Sequence, residues 1–210
     1  MLVAVSERHF LTPAARDRTA EVIRVVELST SVEVVVAVRR AASRQFTTSL
    51  AFGAGCALAG FAYMWLSPQV YDVRTMPIDA ALAFVLGTAV VASLPGLRRA
   101  LTPRSRLTRA AEVAAPGVFG ELGIERTRGR SGLLVYVALF ERTVVLVPDR
   151  GVPDALMHGP VAAIRDELML AVRRTDFDAF LAALSRLGPA CGAVLPRQAD
   201  DENELCDHVA

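Results

Sequence analysis

Two long uncharged stretches, Phe46 to Tyr71 and Ala80 to Leu97, limit what this chain can fold into more than any other feature. Neither contains an acidic or basic side chain. A helix needs about 20 apolar residues to cross the hydrocarbon core of a bilayer, and both stretches are near that length. The sequence therefore reads as a membrane hairpin with polar, folded material on either side. The competing reading is a pair of buried helices in a soluble protein. An apolar fraction of 53% is high for a soluble chain of this charge content and favours the first.

Charge placement orients the hairpin. Arg39, Arg40 and Arg44 precede it, Arg98, Arg99, Arg104, Arg106 and Arg109 follow it, and the bridge holds Asp72, Arg74 and Asp79. Basic residues in short flanking loops stay on the cytoplasmic side. The expectation is a two-pass protein of a bacterial inner membrane with both termini cytoplasmic, its membrane segments framed by Phe46, Trp65, Tyr71, Ala80 and Leu97. Met1 to Phe10 lacks the apolar core and cleavage site of a secretory signal. Every basic side chain other than histidine is Arg, a bias of the kind GC-rich genomes produce. A net charge of +1 gives no electrostatic case for nucleic acid as a partner. Cys56 falls inside the first stretch, and Cys191 and Cys206 fit no metal or redox spacing. Reduced thiols are the expectation for a cytoplasmic domain.

The flanking segments pattern as α/β. Thr12 and Pro13 suit a helix start, and Val22, Ile23 and Val26, with Ala15 and Ala20, give its apolar stripe. Val32 to Val38 is a β-branched run with only Glu33 polar, the pattern of a largely buried strand. A lone strand leaves its ladder unpaired, so this one needs partners from beyond the hairpin. Those are Leu133 to Phe140 and Thr143 to Pro148, joined by a tight turn at Glu141-Arg142. Helices are expected over Arg106 to Leu122, where Pro116 and Gly117 weaken the middle, over Pro160 to Arg174, and over Asp176 to Cys191. Thr175 and Asp178 form a capping-box-like opening for the last. Gly151 is a candidate for positive φ after the second hairpin strand. The fold class is α/β: a small mixed β-sheet flanked by helices and interrupted by a two-helix transmembrane hairpin. Residues 1–45 and 98–195 form the two parts of one domain, 46–97 the hairpin, and 196–210 an acidic flexible tail.

The run Thr127-Arg128-Gly129-Arg130-Ser131-Gly132 leading into an apolar strand, then Glu141-Arg142, then Asp149-x-Gly151, resembles the TPM-domain family. That family includes thylakoid-lumen phosphatase-like proteins and bacterial membrane relatives. Glu27-x-x-Thr30-Ser31-x-Glu33 before Val34 to Val38 is similar to the family's first helix-to-strand junction. The resemblance covers roughly Pro13 to Val38 and Arg106 to Leu187. It implies an α/β sandwich, and it associates plant members with acid phosphatase activity and some members with divalent metal, typically calcium. Where relatives often carry tryptophan after the Asp-x-Gly corner, this chain has Met157-His158-Gly159.

Candidate chemistry follows from the strand-end loops. Asp149, with Glu141, Glu33 and Glu27 as neighbours, is the best carboxylate set for a divalent cation, calcium or magnesium, or for general acid/base work. The simpler reading, which the sequence favours, is that each of the four is a solvated turn residue or an Arg partner. Arg126, Arg128 and Arg130 suit an anion, or face an anionic leaflet. His158 reads as an exposed helix-end residue, and Cys206-Asp207-His208 as part of a mobile charged tail. Ala51/Gly55 and Cys56/Gly60 form small-xxx-small pairs suited to close helix contact within the hairpin, or to a homo-oligomer. No P-loop, Cys-x5-Arg or Asp-x-Asp pattern is present, so catalytic residues are not identifiable. The expected function is a membrane-tethered binding or assembly module, with the lipid bilayer and an unidentified protein as partners. The alternative is a weak divalent-metal-dependent phosphatase.

Overall fold

The computed structural model describes residues 10–42, 46–69, 71–127 and 129–197. Arg44, Arg128 and the tail that includes Cys206, Asp207 and His208 lie outside the described residues. The chain forms two units, one from residues 1–42 with 108–210 and the other from 43–107.

The first unit opens with helix α1 (Pro13–Glu27), whose N-terminus is capped by Thr12 Oγ1 accepting the Ala15 N–H at 3.2 Å. Its buried stripe is Ala15, Thr19, Ile23 and Val26. Thr19 takes the place expected of Ala20 because its hydroxyl donates to the Ala15 carbonyl, 2.8 Å away, and is thereby satisfied. Strand β1 (Glu33–Arg39) follows. After the hairpin come α5 (Arg104–Glu121), β2 (Gly132–Ala138) and β3 (Thr143–Pro148). The order in the sheet is β1-β2-β3, with β1 parallel to β2 in the register Glu33 to Gly132, and β3 antiparallel to β2. The strand before the long insertion thus joins the two after it, as the unpaired-ladder argument requires.

Both faces of the sheet are covered. Val34, Val36 and Val38 of β1 and Leu133, Val135 and Val137 of β2 point to one side. There they meet α1, α6 (Asp154–His158), α7 (Pro160–Arg174), α8 (Phe177–Ser185) and α9 (Leu187–Gly192). Val35, Ala37, Leu134, Tyr136 and Ala138 point to the other, against Ala111, Ala115 and Val118 of α5 and Ile124. Every residue of β2 is buried, which makes it the centre of the unit. Burying each of its Val and Leu side chains contributes roughly 1.5–3 kcal/mol.

Several local expectations are corrected. Helix α5 runs unbroken through Pro116, because Ala111, Ala115 and Val118 hold it to the sheet on both sides of the lost hydrogen bond. The last helical segment is two helices divided at Arg186. Asp176, in place of Thr175, caps α8 by accepting the Ala179 N–H at 3.0 Å, while Thr175 ends α7 at φ 56. Gly151 does not have positive φ; Arg130 (φ 48) and Arg142 (φ 51) do, along with Gly123 (φ 67). Glycine is needed at 151 for another reason. A Cβ there would run into the Gly129 and Arg130 carbonyl oxygens.

Two buried ionisable groups predict alkaline weakening. Burial pushes the Cys191 thiol up to about 11, and burial, then the Glu141 carboxylate, raises the Tyr136 phenol. For both groups the folded pKa exceeds the unfolded one, so their stabilising contribution is complete below the unfolded pKa and disappears as pH rises through the folded value. Unfolding free energy is expected to fall between about pH 9 and 11, by about 2 kcal/mol from Cys191. Urea titrations at pH 8 and 10.5 check this, and Cys191→Ala should remove that part of the loss.

The second unit contains α2 (Phe46–Leu66), α3 (Met76–Ser93) and the short α4 (Pro95–Leu101). Helices α2 and α3 pack against each other as a hairpin and are each long and apolar enough to cross a membrane. Only 17% and 11% of their most apolar windows are buried, unlike the core helices of a soluble protein. Helix α3 begins before Ala80 and takes in Asp79, whose carboxylate suits the first turn. Tyr71 falls in the bridge, and Leu97 belongs to α4 with Arg98 and Arg99. The close contact runs through Gly53, Gly87 and Cys56: a Cβ at Gly87 would lie 2.8 Å from Cys56 Sγ and 3.3 Å from Gly53 Cα. Gly55 faces open space and Gly60 meets only Ala83 at 3.9 Å, so the small-residue pairs expected from spacing are only partly used.

Candidate functional site

The Thr127–Gly132 loop enters β2 at the same end of the sheet where β3 finishes, and two backbone hydrogen bonds fasten these segments. The Asp149 N–H donates to the Gly132 carbonyl and the Gly151 N–H to the Arg130 carbonyl, both at 2.8 Å. Within the loop the Arg130 N–H donates to the Thr127 carbonyl at 3.0 Å, a turn that sets Arg130 at positive φ. Bulky residues rarely adopt that conformation, so the fastening is what maintains it.

Asp149 is 7% exposed and Thr127 5%. Asp149 Oδ1 accepts the Arg150 N–H at 2.7 Å, while Asp149 Oδ2 and Thr127 Oγ1 are buried and have no hydrogen-bond partner among the described residues. Arg126, Arg130 and Arg150 are exposed on the same loops. Exposed arginines thus neighbour, along these two fastened loops, a buried carboxylate and a buried hydroxyl. Arg forks so placed suit carboxylate or phosphate groups of a partner.

The four proposed metal carboxylates are not brought together. Glu33 opens β1 opposite Gly132, at the same end as Asp149 but two strands across, about 10 Å at ordinary strand spacing. Glu27 lies nearby but accepts the Val34 N–H with Oε1 at 3.2 Å, fixing the turn from α1 into β1. Glu141 is in the loop joining β2 to β3, at the far end of strands that span about 20 Å. There it is buried, its Oε2 accepting the Ala42 N–H at 3.0 Å. Glu141 therefore ties the hairpin loop to the chain leaving β1. Among the described residues no three His, Cys, Asp or Glu side chains gather to hold a metal ion. The proposed set does not fit a calcium site, which takes six to eight oxygen ligands. His158 ends α6 with Nδ1 2.9 Å from the Asp154 carbonyl.

Sequence reasoning missed the burial of Thr127. The signal lay in Ile124, whose burial beside Gly132 draws the chain inward.

No family model matches the sequence, and no curated protein matches it. Among solved structures, the NMR structure of the BA42 protein from the psychrophilic bacterium Bizionia argentinensis is similar, with a TM-score of 0.56 at 16% identity. The match covers 95% of this chain and 93% of that one. At this identity the likeness bears on the fold alone.

Proposed function

We propose that the protein is a membrane-tethered binding or assembly module, with α2 and α3 in a bacterial inner membrane and a TPM-like α/β unit in the cytoplasm engaging protein partners. The observation that carries this reading is the exposed apolar surface of the hairpin: Leu58 is 71% exposed, Trp65 75% and Leu66 81%. In water such a surface is unfavourable at roughly 25 cal/mol per Å2, whereas lipid removes the penalty. Tyr63, Trp65 and Tyr71 cluster toward the bridge, where an interfacial aromatic belt would sit. Arg39, Arg40, Arg98 and Arg99 keep the other side in the cytoplasm.

The full chain is expected to resist alkaline extraction from membranes. Ser67→Cys, in the bridge, should react with a membrane-impermeant maleimide in intact spheroplasts, and native Cys206 only after permeabilisation. Release at alkaline pH, or labelling of Cys206 from outside, would overturn the reading.

The second reading, a weak metal-dependent phosphatase, draws on the unpartnered Asp149 carboxylate oxygen. Phosphomonoester hydrolysis by the full chain that requires calcium, magnesium or manganese and vanishes in Asp149→Asn would establish it in place of the first.

A further inference from the structure

Strand β3 is an edge strand lying in a groove. The Asp149–Gly132 hydrogen bond sets the alternation of the antiparallel ladder: Thr143, Val145 and Val147 turn their backbone groups toward β2, and Val144 and Leu146 turn theirs outward. Pro148 takes the next outward position, where its missing N–H breaks nothing in the ladder. The outward N–H groups of Val144 and Leu146 find no partner among the described residues, and since Val144 is 2% exposed the accessible stretch of this edge centres on Leu146. Edges of this kind are normally covered or blunted with charge, and Thr143 to Val147 carries no charge at all.

The walls of the groove are Thr108 and Glu112 of α5 on one side and Arg165, Asp166 and Met169 of α7 on the other, enclosing about 290 Å3. That is small for a drug-sized ligand, whose pockets run roughly 300–1,000 Å3, but its floor is a strand. Arg165 and Asp166 pair with each other at 3.0 Å, while Glu112 has no ion-pair partner among the described residues.

We propose that β3 receives an extended peptide segment of another protein as a fourth strand, with an apolar residue toward Met169 and a basic residue toward Glu112. This rests on the binding-module reading and names its partner chemistry. A second copy of this chain is the poorer occupant. Helix α7 packs directly on β3. Antiparallel pairing of two β3 strands would set two such helices side by side on one face about 4.8 Å apart, where helix axes need 8–10 Å. A lone strand carries no helix and meets no such clash.

The test uses the full chain in lipid nanodiscs, panned against a phage-displayed random heptapeptide library, with selected peptides resynthesised and titrated by fluorescence anisotropy. Peptides alternating apolar residues with Arg or Lys are expected. Leu146→Pro deletes an outward N–H together with a side chain packed at the edge of the core, so Leu146→Ala, which keeps the N–H, is its control; the proline variant should weaken binding at least about tenfold relative to the alanine one with the melting transition retained. N-methylation of alternate peptide residues should do the same on the probe side, and Glu112→Arg should abolish the preference for basic residues. Selection of no peptide, or binding indifferent to both Leu146→Pro and N-methylation, would overturn the proposal. So would a dimer by light scattering that Leu146→Pro converts to monomer, since the edge would then belong to a second copy. The tether reading is decided separately by extraction and labelling, so either idea can fail alone.

Discussion

A chain in which a short Gly/Ser linker replaces residues 46–97 is expected to leave the membrane fraction and to melt in one cooperative transition. Both apolar clusters of the α/β unit are built from residues outside that span. Shortening a connection of some 50 residues to about 10 also lowers the loop-closure entropy, a gain of about 1 kcal/mol. Circular dichroism melts of the soluble product check this. An aggregated product, or a broad transition, would mean that the α/β unit does not stand alone. The same melts with calcium, magnesium or manganese bear on Asp149, because a cation bound only by the native state must raise the transition. Indifference to all three is the expected result.

In that soluble chain, Phe180→Ala should reduce the unfolding free energy by about 3–5 kcal/mol. Phe180 is 1% exposed, with its ring 5.6 Å from Phe10 in edge contact and 6.5 Å from a stacked Phe177. Removing it deletes a large apolar surface, leaves a cavity and breaks two ring contacts. At the entropy of a unit this size the melting point should drop by about 10 °C. Val113→Ala is the control: Val113 is 73% exposed on α5 and its loss should stay within about 0.5 kcal/mol. A Phe180→Ala loss no larger than the control's would mean that α1, α8 and Phe10 do not share one core.

How far the sequence revealed all this depended on whether the decisive information was local. Strand β3 and helix α7 were read to the residue, since a β-branched run between turn residues and a Pro-started periodic helix are local signals. The pairing of β1 with β2 followed from an accounting of unmet hydrogen bonds. The cap of α8 was misplaced by one residue because Thr175 and Asp176 are both good caps, and only the backbone decides: Thr175 is left-handed and Asp176 extended. The carboxylate set failed for a topological reason. Glu33 and Asp149 lie at one end of the sheet because β3 runs back to where β1 starts, and the same reversal carries Glu141 to the other end. The groove beside β3 was illegible because Glu112 and Arg165 are far apart in sequence and meet only through the packing of α5 and α7.

The parallel pairing of β1 with β2 also imposes an order of events during synthesis. Val34 to Val38 leaves the ribosome about 100 residues before the strand that pairs with it. At roughly 5–20 residues per second, that is a wait of at least several seconds with an apolar, unpaired segment in the cytoplasm. On the proposed topology the hairpin enters the membrane during that interval, so insertion is completed before the sheet can close. A hairpin that inserts only one of its helices would strand the two parts of the sheet on opposite sides of the bilayer, and no α/β unit would form. On that topology, closure of the sheet distinguishes complete from half-complete insertion: a chain with one helix across the bilayer cannot become a folded one, and is left recognisable to proteases as unfolded.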